Sequence, residues 1–517
     1  MTSPYYQPPP ATPSERGFWE RPVFLLALVL LSAVPLLWPT VPPLIDLPGH
    51  MGRYRVQLDL ASHPHLAQWY DFDWAVIGNL GIDLLVVPLA KLFGLELAVK
   101  LVVLTIPAMT AAGFLWVARE IHGRIPPTAA FALPFAYGYP FLFGFANFAL
   151  SMAFAFLAFG LWLHLARKER LKLRAALFVP ISALIWVTHA FGWGTLGVLA
   201  FSAELVRQHD RGHGFIQSGF RAALHCLALT PPIALMLAWR SGHAAGQTGD
   251  MFNYMAKLWS MLIVLRDRWL FYDVLSLGVI LILILRAARS PRIAFSRNLA
   301  ASALFLLAVF ILLPRIVFGS AYADMRLAPF IFAVAVLAIR WKKWEDVKFA
   351  RNAALAALAF FLVRTGGTTA SFFLYHQDWE RELAALEHVP EGARLVSFVG
   401  RDCRYGWYTP RLDHLPGLAL VRNRAFSNDQ WTMAGAQLLG VRYPQGGTFV
   451  RDPSQIVTAS KCPAEQWLTI EQSLERFPRG AFDYVWLIDP PEYDPALTRG
   501  LRPIWRSGDS VLLEVVR

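Results

Sequence analysis

Long apolar runs, separated by short clusters of Lys and Arg, dominate this sequence and restrict what it can fold into. Residues 23–38, 97–117, 148–165 and 222–239 each approach the length of a bilayer core. A single buried core does not repeat in this way. The chain has 517 residues, 56% hydrophobic and 16% charged, and a mean hydropathy of +0.42, so as a water-soluble protein it would be covered in apolar surface. Lipid is the solvent that fits. The net charge of +12 does not point to nucleic acid, because the basic residues sit between apolar runs and not along one amphipathic face. Residues 1–17 are polar, with Pro, Tyr and Ser, and no signal-peptide cleavage site follows the first apolar run, so 1–20 reads as a disordered cytoplasmic tail.

Charge also sets the parity of the spans. About eleven transmembrane helices are expected, near 22–38, 97–117, 129–146, 148–165, 175–187, 192–206, 222–239, 269–285, 299–313, 327–339 and 353–374. The apolar segment 81–94 is too short to cross. With it excluded, the loops holding Arg119 and Arg124, residues 167–174, Arg207 and Arg211, residues 286–297, and residues 340–348 all share one side. By the positive-inside rule that side is the cytoplasm, so 81–94 is expected as a surface-lying or re-entrant helix. After residue 375 the composition changes to a helical stretch, 378–388, and short β-like runs at 394–399, 484–488 and 511–516. The expected fold is an all-α polytopic membrane domain, 21–375, followed by a small α/β extracytoplasmic domain, 376–517. The first external loop spans 39–80.

This parity collects an unusual polar set on the external side. Pro42 and Pro43 stop the first helix, Asp46 emerges at the membrane surface, and a restarted helix places His50 one turn on. A carboxylate and an imidazole at that spacing can share a metal ion or a proton; an Asp that caps the helix is the alternative. His189 lies at an external helix end, either as a ligand or as a satisfied structural histidine. Arg315 and the run Asp324-Met325-Arg326 precede a further helix. Arg326 there matches a phosphate with a fork of donors, or else snorkels as an interfacial anchor. Arg364 lies about twelve residues, on the order of 18 Å, into the last apolar run. At that depth it should face protein or a wet cavity, with an anionic partner, and Gly366-Gly367 suggests an irregular helix end beside it. Asp250, Arg266, Asp267 and Arg268 are expected on the external side, partly solvated. Cys403 and Cys462 fall together in the extracytoplasmic region, where they either form a disulfide or remain two free thiols.

The first-loop sequence Asp46-Leu47-Pro48-Gly49-His50-Met51-Gly52-Arg53, on a chain of about eleven helices with a soluble external domain, resembles the GT-C glycosyltransferases. The segment 82–93, Gly94 and a Lys100-containing helix are similar to that superfamily's arrangement after its first loop. The resemblance implies a first-loop Asp at the active site and a polyprenyl-phosphate-linked sugar as donor, with membrane lipids around it. It places the lipid phosphate against Asp324 and Arg326; the chemistry of an inverting transfer makes Asp46 the expected base with His50 beside it, and adds Arg315 and Arg364 as cations for the phosphate. Many members carry a second acidic residue in the next external loop, where this chain has Asn147. A two-carboxylate metal site is therefore in doubt, although Asn147, His50 or His189 can contact an acceptor or a divalent metal ion in its place. The expected function is transfer of the sugar to a cell-envelope acceptor at the outer face of a bacterial plasma membrane. The alternatives are a flippase of lipid-linked sugars, for which no inverted repeat is found, and a non-catalytic partner with an envelope-binding domain.

Overall fold

The computed structural model describes residues 17–240, 247–342, 344, 346–403, 406–433, 435–463 and 465–517. Up to residue 16, the expected tail lies outside these. Five helices are long and apolar enough to cross a membrane: Leu95–His122, Ala146–Arg167, Leu171–Thr188, Leu270–Arg289 and the helix that begins at Val347. A sixth candidate is Phe215–Leu229 joined to Pro231–Ala238 at a 60° bend, where Thr230-Pro231-Pro232 removes consecutive backbone donors. Shorter apolar helices fill Pro22–Leu36, Arg297–Leu312 and Met325–Leu337, and Ala190–Asp210 lies beside them.

Several segments differ from the sequence-based expectation: 222–239 is bent, and against about eleven expected spans only five helices among the described residues, or six with the bent pair, are long and apolar enough to cross. Residues 129–146 do not form one spanning helix. Ala129–Tyr137 is a 3-10 stretch interrupted by Pro134, and after Gly138 comes a five-residue helix, Tyr139–Phe143. Every residue of Ala129–Tyr137 is buried, and burial in protein is where irregular backbone at membrane depth is tolerated. The last helix does not end at Gly366-Gly367 but continues as Val347–Leu383, through the expected domain boundary at 375. Gly367 instead makes room for Tyr272, whose hydroxyl donates to the carbonyl of Val363 at 2.7 Å. Gly81–Phe93 is a 13-residue helix that leaves Leu84, Leu85, Leu92 and Phe93 exposed, a surface suited to an interface.

The C-terminal region holds a six-stranded sheet. Strands Leu468–Thr469, Ile456–Thr458, Leu395–Gly400 and Tyr484–Ile488 run parallel, and Ser510–Val515 and Leu501–Ser507 add antiparallel at one edge. It does not stand apart from the first loop. Tyr70–Phe72 pairs antiparallel with Leu439–Val441, and Val56, Leu66, Trp69 and Tyr70 share a hydrophobic core with Val396, Phe398, Phe426 and Val485. Once outside the apolar bundle those first-loop side chains need cover, and the sheet domain supplies it.

Cys403 and Cys462 are disulfide-bonded, with α-carbons 5.3 Å apart across 59 positions, and they tie the loops that leave Leu395–Gly400 and Ile456–Thr458. Replacing both with Ser should destabilise this domain by about 2–4 kcal/mol, read as a lower thermal transition of the purified protein. In the native chain neither thiol should alkylate before reduction.

Candidate active site

A cavity of about 580 Å³ lies where the bundle, the first loop and the sheet domain meet. Asp46, His50, Asn147, His189, Arg326, Asp413 and His414 all line it, although the sequence separates the first and last by more than two thirds of the chain.

Asp46 is held by its backbone. Its N–H donates to the carbonyl of Phe143 at 2.9 Å, its carbonyl accepts from His50 N–H at 3.0 Å, and Leu47–Asp59 then runs on as a helix with Pro48 in the first turn. The side chain makes no capping hydrogen bond, so the carboxylate is free for another purpose. Gly144 is what permits this approach. Its φ of +104° suits glycine, and a Cβ there would lie 2.6 Å from Asp46 N. Burial, the largest cause, pushes the Asp46 carboxyl up to about 7; His414 and Arg326 work against the rise, and Asp452 and Asp413 add to it.

The imidazole beside Asp46 is His414, whose Nε2 lies 3.9 Å from Asp46 and 3.9 Å from Asp452, while Nδ1 lies 3.6 Å from Asp429. Burial alone would lower the His414 pKa, but the contact with Asp429 and the charges of Asp452 and Asp46 outweigh it and raise it to about 10. His414 is therefore a cation wedged among three carboxylates. His50 is the opposite case, since burial, then Arg53, His414 and Arg326, hold its pKa well below the usual value and keep the ring neutral. Trp431 packs against both rings, 5.0 Å from His50 and 4.9 Å from His414 between centroids. Gly49 and Gly52, one turn apart on the helix, give Trp431 and Gln430 room to approach.

On the opposite wall, Arg326 is only 5% exposed. Its Nη2 donates to Ser320 Oγ at 3.1 Å and its guanidinium lies 4.3 Å over the Phe145 ring and 5.3 Å over Phe191, while Nε has no partner. Among the described residues no carboxylate lies within ion-pair distance of it. Most other buried arginines differ: Arg53 pairs with Asp83, Arg174 with Glu204, Arg364 with Asp273 and Arg411 with Asp267, while Arg266, also without a carboxylate, donates to the carbonyls of Gly406, Trp407 and Tyr408. Arg326 Nη1 faces His189 Nε2 at 3.4 Å. Since His189 Nδ1 accepts from Phe191 N–H at 3.1 Å, the neutral ring carries its proton on Nε2. Two donors thus face each other, and an acceptor beside the pair would take both.

No family model matches the chain, and no curated protein matches it. Among solved structures it is similar to the crystal structure of ArnT from Cupriavidus metallidurans bound to undecaprenyl phosphate, with 12% identity, a TM-score of 0.49, and coverage of 96% of this chain and 98% of that one.

Several residues singled out in the sequence lie outside the cavity. Arg364 has its anionic partner in Asp273, 2.8 Å away, and also donates to the Leu265 carbonyl at 2.9 Å, so its charge is used in packing the bundle. Asp324 is fully buried, accepts from Lys257 at 3.2 Å and caps Met325 N–H at 2.9 Å. It anchors the turn that delivers Arg326. Arg315 faces Asp250 at 3.6 Å and stacks 4.7 Å over Tyr322, one layer behind the wall. Asn147 lines the cavity, but its amide is engaged: Oδ1 accepts from Ile82 N–H at 2.6 Å, and Nδ2 donates to Asp83 at 2.9 Å and to the Asn79 carbonyl at 3.0 Å. It fixes the start of Gly81–Phe93.

A divalent ion does not fit this donor set. Among the described residues no group of three or more His, Cys, Asp or Glu is disposed to hold a metal, and the His414 ring fills the space between Asp46, Asp429 and Asp452.

Sequence reasoning missed Asp429, Asp452 and Trp431. Ser427-Asn428-Asp429-Gln430 has the composition of a surface turn, yet all four residues are fully buried. The signal was available in Trp431, an aromatic closing a run of four polar residues.

Proposed function

We propose that this chain is a GT-C-type glycosyltransferase of a bacterial plasma membrane, which moves a sugar from a polyprenyl-phosphate donor to a cell-envelope acceptor on the external face. One observation carries the reading: a buried guanidinium without a carboxylate partner, Arg326, lines the same cavity as a first-loop carboxylate that caps nothing, Asp46. A lipid phosphate is the anion that Arg326 and the His189 Nε2–H would share.

The chemistry follows from this placement. The acceptor hydroxyl attacks the anomeric carbon on the face opposite the phosphate, and its proton passes to Asp46. The bond between the anomeric carbon and the phosphate oxygen breaks, and the electron pair leaves with the polyprenyl phosphate. Arg326 stabilises the charge that develops there, and the configuration inverts. Asp46 suits the base because its carboxyl titrates at about 7. His414, protonated up to about 10, keeps that value from rising further.

The pH profile of sugar transfer from a synthetic polyprenyl-phosphate donor tests the assignment. As Asp46 loses its proton, kcat/KM should rise through about pH 7. His414→Gln removes a cation that lowers the Asp46 pKa, so its ascending limb should move to higher pH. A limb at the same pH in both proteins would mean that Asp46 is not the titrating base.

A further inference from the structure

A second and larger cavity, about 1010 Å³, opens between the sheet domain and the ends of Leu270–Arg289 and Val347–Leu383. It lies at the carboxyl ends of the parallel strands Leu395–Gly400 and Tyr484–Ile488. From Leu395–Gly400 the chain moves outward to Ile456–Thr458 and Leu468–Thr469 on one side, then returns to add Tyr484–Ile488 on the other. The crevice at such a reversal of strand order is where open α/β sheets bind ligands.

Its lining is specific in kind. Glu382, 7% exposed, has a buried Oε2 with no hydrogen-bond partner. Asp489, at the end of Tyr484–Ile488, sits on the rim beside Gly400. On the bundle side Arg268 lies 4.6 Å over the Tyr375 ring and has no carboxylate within ion-pair distance among the described residues. Two aromatics are left open, Tyr408 at 56% and Trp269 at 37% exposure. Planar carboxyl and guanidinium groups matched to hydroxyls, beside uncovered aromatic faces for the apolar side of a ring, form the chemistry of a carbohydrate site. Asp413 lines both cavities, so the second cavity shares a wall with the active site.

We propose that this second cavity binds a saccharide, with ring faces on Tyr408 and Trp269 and hydroxyls on Glu382, Asp489 and Arg268, and that this saccharide is the glycan portion of the acceptor. The acceptor role rests on the glycosyltransferase reading; saccharide binding does not.

The test is saccharide binding to the full chain in a detergent without sugar headgroups, by saturation-transfer NMR and calorimetry, with neutral cellobiose, chitobiose and maltotriose as probes. At least one probe should bind wild type, Asp46→Asn and Arg326→Ala alike. Tyr408→Ala and Glu382→Gln should each weaken that probe by about tenfold, the loss of one strong contact. Tyr408 is exposed, so its variant decides the matter even if Glu382→Gln does not fold. The proposal fails if no probe binds wild type, or if binding survives Tyr408→Ala unchanged. If a probe binds as described but the wild type transfers no sugar from a polyprenyl-phosphate donor, the transferase reading falls and the saccharide site stands.

Discussion

Asp46→Asn protein, purified in detergent, is expected to transfer sugar at least about 10²-fold more slowly than wild type, the usual contribution of a positioned base, while folding and binding donor as before. The backbone, not the carboxylate, holds residue 46: its N–H is fixed to Phe143, its carbonyl starts the helix, and the side chain caps nothing. Its ionic contact among the described residues is His414 at 3.9 Å, and that ring keeps Asp429 and Asp452. Stability should move in a direction opposite to activity. With the Asp46 carboxyl raised to about 7, the folded state between about pH 4 and 7 keeps a proton that the unfolded chain has lost. The residue's contribution to stability therefore falls as pH rises through that window and is least favourable above it. The thermal transition of Asp46→Asn relative to wild type should accordingly be higher at pH 8 than at pH 5. An inactive variant that also unfolds at every pH would show that the carboxylate is structural.

Arg326→Ala should weaken polyprenyl-phosphate binding by roughly ten- to a hundred-fold, the loss of a charge-assisted contact worth about 1.5–3 kcal/mol. The native guanidinium forms no ion pair with a carboxylate, so its removal breaks no buried pair, although it takes away one charge that holds the Asp46 pKa down. Arg364→Ala is the contrast. It strips the partner from Asp273, which is buried to 2% exposure, and breaking a buried pair costs about 3–5 kcal/mol. One arginine should cost affinity and the other stability, and titration of a fluorescent polyprenyl phosphate beside a thermal scan separates them. Equal affinity in wild type and Arg326→Ala would remove the phosphate from this wall.

How far these features are legible in the sequence depends on whether they are local. The apolar runs and their prolines are local signals, and helices stand at most of the expected positions. Asp46 and His50 on one helix, and Arg326 just ahead of another, follow from spacing within a few residues. Residues 129–146 pass for a span because composition cannot distinguish a buried 3-10 stretch from a lipid-facing helix; Pro134 and Gly138 carry that information. Arg364 and Asp324 pass for site residues because their partners, Asp273 and Lys257, come from other helices. The His414 cluster was hardest to read, since Asp46, Asp429 and Asp452 meet around one ring only after the first loop has docked on the sheet domain.

On the proposed function, one cavity holds a lipid phosphate against Arg326 and within reach of Asp46. Electron cryo-microscopy of the full chain with an added polyprenyl phosphate tests it most directly. The expected density has the phosphate against both the Arg326 guanidinium and His189 Nε2, with the polyprenyl chain leaving toward the bundle surface. A phosphate resolved at any other place, with the Arg326 side of the cavity empty, would contradict it.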